Sequence, residues 1–163
     1  MDVTIRLLLA EDAAAYRTLR LESLALHPTA FGADFTDEGG RPLAFFESRL
    51  MGNAIFGGFA GDALVGCAGL MVGAGAKRSH KGLVWGVYAR PAVRGSGLAR
   101  RLVEAVLRHA EGRVELVQLS VQAENTTALA LYRGLGFEDY GREAQALKLG
   151  GVYYDEILMA RGV

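Results

Sequence analysis

Residues 90–101, Arg-Pro-Ala-Val-Arg-Gly-Ser-Gly-Leu-Ala-Arg-Arg, place two glycines and a set of arginines where an apolar run gives way to a helical pattern. The run, Leu83-Val84-Trp85-Gly86-Val87-Tyr88-Ala89, reads as a buried strand, and the helical pattern lasts to about Glu111. A strand-to-helix turn leaves backbone N–H groups unpaired at the helix start, beside the positive end of the helix dipole. Gly95 and Gly97 have no side chain to hold a ligand off that backbone, and Arg94, Arg100 and Arg101 add positive charge. Binding of a polyphosphate is the chemistry such a turn favours.

A second candidate pair lies further on. Asn125 stands as an N-cap before a predicted helix over 126–135, with Gly136 as its left-handed terminator. Asn125 and Tyr132 are seven residues apart, two helical turns, and so project from one side of it. Tyr132 also fits the apolar stripe of Ala128, Leu129 and Leu135 and could serve as core.

The elements that position these residues follow from periodicity. Strands are expected at 3–9, 54–60, 63–72, 83–90, 114–121, 137–141 and 152–160. Helices are expected at 11–26, 43–50, 98–110 and 126–135. In 11–26 the inward stripe reads Ala15, Leu19 and Leu26, with Arg17, Arg20 and Glu22 off it. Gly61-Asp62 joins two strands as a tight hairpin. Residues 28–42 read as irregular, and 73–81 as a basic, glycine-rich loop. Leu98, Leu102, Val106 and Ala110 recur every four residues, opposite Arg100, Glu104 and Arg108. In 114–121 the apolar parity slips between Leu116 and Val117, as in a strand buried on both faces or bulged. The element order combines hairpins with two β-α-β crossovers, which implies an α/β (α+β type) fold. Its centre is a mixed, mostly antiparallel sheet of about seven strands flanked by about four helices.

At 163 residues the chain reads as a single domain, 1–163, long enough to bury a core. Half of it is hydrophobic, yet no apolar run approaches the ~20 residues of a membrane span. The start reads as having no signal segment, and the one cysteine, Cys67, excludes an internal disulfide; both fit a cytoplasmic location. Cys67 sits in an apolar strand and reads as an inert core thiol. Net charge is zero, which argues against nucleic acid as a partner. Residues 77–113 nevertheless hold nine bases against two acids, so the basic region coincides with the glycine turn.

Two nucleotide motifs fail. Arg100 occupies the third glycine position of the dinucleotide fingerprint, and no Gly-Lys-Ser/Thr completes a Walker loop. Arg94-x-x-Gly97-x-Ala99, with Pro91 ahead of it, fits better, followed by Asn125-Thr-Thr-Ala-Leu-Ala-Leu-Tyr132-Arg-Gly-Leu-Gly136-Phe137. Together these resemble the acyl-CoA-binding motifs of the GNAT superfamily of N-acetyltransferases, and the likeness in element order runs from Val3 to Met159.

The resemblance implies the acyl-CoA N-acyltransferase fold, acetyl-CoA as cosubstrate, no metal, and an amine acceptor. It implies that backbone amides of Arg94, Gly95, Ser96, Gly97, Leu98 and Ala99, with Arg100 beside them, bind the CoA pyrophosphate. Val87, Tyr88 and Ala89 would pair with the pantetheine arm, Asn125 would touch its other side, and Tyr132 would protonate the leaving thiolate. The strand at 83–90 must then diverge from the one at 114–121, with Gly86 as the place for a bulge.

The general base is not legible. The Glu that some protein N-terminal acetyltransferases of this superfamily carry five residues before the Asn is Ser120 here, and Leu83–Ala89 holds no acid, a departure that weakens assignment as a ribosomal-protein acetyltransferase. By location the candidates are Glu22, Glu38, Glu124, Asp155 and His80, with Glu22 reading as solvated and Glu124 as helix-entry charge. Asp34, Asp37 and Glu38 read as a solvated acidic loop. Acceptor choice is assigned to 27–50, 73–81 and 142–156. The expected activity is acetyl transfer to a primary amine by direct attack in a ternary complex, from a monomer or homodimer. The alternative is an acyl-CoA-binding module without turnover.

Overall fold

The computed structural model describes residues 2–163. Seven strands form one sheet in the order β1-β2-β3-β4-β5-β7-β6. They span β1 Thr4–Leu7, β2 Ala54–Ala60, β3 Ala63–Val72, β4 Lys81–Ala89, β5 Leu116–Gln122, β6 Glu138–Leu149 and β7 Val152–Gly162. Five α-helices accompany them: α1 Ala13–Leu26, α2 Phe35–Gly39, α3 Leu43–Gly52, α4 Leu98–Ala110 and α5 Thr126–Gly134. Every strand pairing is antiparallel except that of β4 with β5, which α4 connects. The second expected crossover differs. α5 leads from β5 to β6, but β7 returns between them because its hairpin with β6 reaches back to β5.

Both faces of the sheet are covered. On one, Leu98, Leu102, Val106 and Ala110 of α4 pack with Ala68, Val84, Val117, Leu119 and Tyr132. On the other, Tyr16 and Leu19 of α1 and Phe46 and Leu50 of α3 pack with Leu8, Ile55 and Cys67. The every-fourth-residue stripe of α4 is thus inward as predicted, and Arg100 and Glu104 form the outward i, i+4 pair at 3.0 Å. Burial pushes the Cys67 thiol up to about 12, leaving it an unreactive core group.

Several expectations need correction. α1 is rotated from the predicted stripe: Tyr16, Leu19, Arg20 and Leu24 are buried, Ala15 is exposed, and Leu26 is 55% exposed. Arg20 can lie inside because its Nε and Nη2 donate to the two Glu38 oxygens at 3.0 and 3.1 Å. Arg49 donates to the same carboxylate at 2.8 Å. Residues 28–42 are not wholly irregular, since α2 forms there and turns Glu38 inward, so the acidic loop is not uniformly solvated. β4 is only half buried, with Leu83 40% exposed. β5 is neither bulged nor buried on both sides: its register with β7 is unbroken, and Val117, Leu119 and Val121 alternate inward. β6 continues past Gly141 to Leu149, but its pairing shifts twice and Gln145 has φ 55, which hides the strand from periodicity.

Removing the charge of Glu38 leaves two largely buried guanidinium groups uncompensated, so Glu38→Gln is expected to cost about 3–5 kcal/mol in urea unfolding. Burial alone would raise the Glu38 carboxyl, but the bonds from Arg20 and Arg49 outweigh it and hold it below its ordinary value. Its contribution is therefore complete above the unfolded carboxyl pKa of ~4.3 and fades as pH falls through the folded value. Wild-type and Glu38→Gln stabilities should converge toward acid; parallel curves would refute this account.

Candidate functional site

The site begins where β4 leaves β5. Their parallel pairing covers Lys81↔Leu116, Gly82↔Val117 and Leu83↔Gln118 and then ends. Gly86 marks the divergence: its φ is +61, and the β3–β4 register shifts between Cys67 and Gly69. A side chain at this left-handed position would be strained. Beyond it, β4 stays paired with β3 but loses β5, so backbone groups on one edge of Val87–Ala89 have no ladder partner.

A cleft of about 680 Å³ opens at this point. Val87, Tyr88 and Ala89 form one wall, Asn125 and Tyr132 of α5 the other, and the turn into α4 closes the end with Arg94, Gly95, Gly97, Leu98, Ala99 and Arg100. The fold thus brings these predicted site residues to one cavity. Ser96 is the exception. It does not line the cleft, because its hydroxyl and its amide both donate to the Val93 carbonyl, which shapes the turn. The Arg94 amide is likewise occupied, donating to Pro91 O at 3.3 Å. The first intrahelical bond runs from Arg101 N to Gly97 O, so the amides of Leu98, Ala99 and Arg100 at the head of α4 precede the ladder. Gly97, with φ 80, makes the entry to this turn.

The arginines take different roles. Arg94 donates to Ala89 O at 3.2 Å and lies 2.7 Å from His27 Nε2, which ties the turn to the end of α1. Burial and then Arg94 hold the His27 imidazole below its ordinary pKa, so it stays neutral and accepts that bond. Arg101 donates to Val3 O at 2.8 Å and anchors β1 rather than the cleft.

Tyr132 is 8% exposed and meets Phe137 edge-on at a centroid distance of 5.9 Å. Burial raises its phenol to about 12, so near neutral pH it can act only as a proton donor. It is both core and cleft wall. His27, Phe31, Val93, Thr127, Ala128 and Leu131 also line the cleft and were not singled out by sequence. Ala128 and Leu131 follow from the helical spacing of Asn125 and Tyr132, whereas Phe31 sits in a loop without periodic signal.

None of the five acids and bases considered from sequence lines the cleft. Glu22 is half-buried and paired rather than simply solvated: its Oε2 accepts from Tyr88 OH at 3.0 Å and Arg90 Nε at 3.1 Å. Glu38 is locked in its ion pairs, and Glu124 is exposed ahead of α5. Asp155 accepts from Gln145 N and Arg142 Nε, which hold its carboxyl below the ordinary value. His80 lies at the opposite end of β4, where its carbonyl accepts from Glu115 and Leu116. The 73–81 loop is at that remote end too, so it does not reach the cleft. Residues 28–35 and 147–154 do meet, enclosing a cavity of about 150 Å³ that shares Phe31 with the cleft. Among the described residues there is no group of three or more His, Cys, Asp or Glu placed to hold a metal, and no helix long and apolar enough to cross a membrane.

Comparison with known proteins gives a consistent result. Residues 14–137 match the family model described as Acetyltransferase (GNAT) family. The chain is 35% identical over 112 residues to N-alpha-acetyltransferase RimI of Mycobacterium tuberculosis, covering 68% of this chain and 69% of that protein. It spans only 33–50% of the length of several longer curated relatives, mycothiol acetyltransferases among them. The structure of a GNAT-family acetyltransferase from Streptococcus pneumoniae superposes with TM-score 0.90 at 21% identity, over 99% of this chain and 100% of that one. The yncA structure from Salmonella typhimurium, described with its cofactor acetyl-CoA, superposes with TM-score 0.82 at 22% identity, over 99% and 94%. At such identities these structural likenesses speak to the fold.

Asn125 holds the start of α5 by accepting the Ala128 N–H at 3.2 Å. Asn125→Ala should lower stability by about 1 kcal/mol in urea unfolding, and Asn125→Asp should restore most of it. Equal losses in both variants would remove capping as the cause.

Proposed function

Because the chain belongs to the GNAT acetyltransferase family, we propose that it is a single-domain enzyme that moves the acetyl group of acetyl-CoA to a primary amine. The acceptor is an amine of a small molecule or of a peptide or protein, and attack is direct, within a ternary complex. The observation that carries this reading is the opening between β4 and β5, with the head of α4 at one end and Tyr132 on its wall.

Each part of the cleft has a task in this reading. The pyrophosphate of CoA lies on the free amides of Leu98, Ala99 and Arg100, where the helix dipole favours negative charge, and the Arg100 side chain adds a cation. Gly95 and Gly97 let the phosphates reach the backbone. The pantetheine arm pairs with the open edge of Val87–Ala89 as an added strand would, and Asn125 flanks it. The thioester carbonyl then reaches the splay, where the amine attacks.

Tyr132 donates its proton to the sulfur as the carbon–sulfur bond breaks. A phenol near 12 is a weak acid beside a thiol of ~8.5 in water. The same dry wall that raises the phenol also raises the basicity of a thiolate formed against it, so the match is made at the transition state. The α-amine of a peptide or protein is the acceptor favoured by the likeness to the mycobacterial N-alpha-acetyltransferase. The absence of a glutamate at Ser120 does not weaken acetyl transfer itself, since removal of the amine proton can be served from another strand.

Tyr132→Phe should lower kcat by about 10²–10⁴-fold while acetyl-CoA Kd from calorimetry stays within about twofold. Thiol release with acetyl-CoA and a panel of alanyl peptides and small amines measures the rate. Wild-type turnover in the variant would take Tyr132 out of the mechanism. Tight acetyl-CoA binding with no thiol release from any wild-type reaction would favour a binding module.

A further inference from the structure

The transferase reading supplies an acid and leaves the amine's proton without a destination. We propose that Glu156 of β7, diagonally across from Ser120 on the face of the sheet opposite Tyr132, is the general base. The inference rests on the transferase reading.

The geometry follows from strand alternation. Val117, Leu119 and Val121 of β5 turn toward the core that contains Tyr132, so Gln118, Ser120 and Gln122 turn to the other face. Ser120 is exposed even though β5 is an interior strand of the sheet, because β4 has already diverged beside it. It therefore looks into the opening from the side away from α5. Glu156 stands directly across from Gln122, and Leu158 directly across from Ser120. Directly opposed residues share a face, so Ser120, Gln122 and Glu156 lie on one side: Gln122 is one strand spacing of about 4.8 Å from Glu156, and Ser120 is on the diagonal at about 7–8 Å. Ser120 lies on the diagonal from Glu156, close enough for its hydroxyl to lower the carboxyl's pKa.

The surroundings suit a base. Glu143 of β6 is also directly across from Glu156, on the same face, and two residues earlier along β7 stands Tyr154. The ionisable groups that these strands turn toward Glu156 are thus one carboxylate and one phenol. Burial and then the Glu143 charge hold the Glu156 carboxyl above its ordinary value, while Ser120 pulls the other way. A carboxylate raised in this manner binds a proton more readily. Glu22 and Asp155, by contrast, are each neutralised by an arginine. Tyr154 lines the 150 Å³ cavity, so the face of β7 that carries Glu156 runs from that cavity toward the opening. Glu156 itself lines neither cavity; it stands two residues along β7 from Tyr154, on the face across which an acceptor would approach the opening.

The step balances as follows. The ammonium gives one proton to the Glu156 carboxylate and becomes a neutral amine. Its lone pair forms the new nitrogen–carbon bond, the carbon–sulfur bond breaks, and sulfur leaves with the pair and takes the Tyr132 proton. The nitrogen loses its remaining extra proton to water; Glu156 then releases its proton, and Tyr132 regains one from solvent. One proton is released per turnover.

The test compares wild type, Glu156→Gln and Glu143→Gln with acetyl-CoA and an alanyl peptide, following kcat against pH and acetyl-CoA Kd. Glu156→Gln should lose about 100-fold or more in kcat, lose the acidic limb of its profile, and keep its acetyl-CoA Kd. Glu143→Gln, which leaves the base in place and removes its neighbouring charge, should move that limb to lower pH. A Glu156→Gln rate within about twofold of wild type, or an acidic limb unmoved in Glu143→Gln, overturns the assignment. Should Glu156→Gln fail to fold, the Glu143→Gln profile decides alone. A wild-type protein that releases no thiol with the peptide or the amine panel overturns the transferase reading and the base together. Turnover that survives loss of Glu156 overturns the base alone.

Discussion

The parallel contact between β4 and β5 joins the two antiparallel halves of the sheet, and it is short because its two strands obey different neighbours. β5 is kept straight by an unbroken ladder to β7 that runs from Leu116↔Gly162 to Gln122↔Glu156. β4 is drawn along β3, whose pairing shifts between Cys67 and Gly69, and it bends at the left-handed Gly86. Two strands so constrained cannot stay in contact, and they part after Leu83 and Gln118. Parting leaves backbone donors and acceptors of Val87–Ala89 without ladder partners, a costly condition unless water or another chain-like molecule supplies them. The cleft is thus a consequence of sheet mechanics, and the residues around it are those that the two diverging strands and their helices carry.

The other face is fixed by charge as well as by apolar packing. Glu38 joins Arg20 of α1 to Arg49 of α3, and both guanidinium groups also lie over aromatic rings: Arg20 over Phe31 at 5.5 Å and Trp85 at 5.3 Å, Arg49 over Phe45 at 4.6 Å. This clamp fixes α2 at one end of the 28–34 segment while α1 fixes the other. Phe31 therefore has a defined place without regular secondary structure around it, and it separates the cleft from the smaller cavity. A segment of this kind can select an acceptor because its ends are held by buried groups that the acceptor never touches.

Much of this was readable in the chain, and the failures share a physical origin. The α4 stripe, the β2–β3 hairpin, the Asn125 cap and the glycine turn are local features, set by residues within a few positions of one another. What escaped was long-range compensation. Arg20 looks like a solvent-facing residue until Glu38, 18 positions later, neutralises it. Glu22 reads as solvated until Tyr88 and Arg90 arrive from β4. β6 lost its alternation where Asp155, on another strand, accepts the Gln145 amide. Ser120 shows the same limit from the opposite side. Counting along the strand finds a missing carboxylate, and only the register with β7 brings Glu156 beside it.

In the proposed mechanism, one physical effect prepares both proton-transfer groups. Desolvation opposes charge, so it raises the Tyr132 phenol and keeps it protonated where a donor is needed. The same opposition raises the Glu156 carboxyl, where it strengthens an acceptor, and Glu143 adds to it. The sheet keeps the two groups apart. Tyr132 belongs to the α4–α5 side and Glu156 to the other, and the gap beyond Leu83 and Gln118 is the passage between them. The proton taken from nitrogen and the proton given to sulfur are therefore handled on opposite sides of the sheet, on either side of a thioester that lies in the opening.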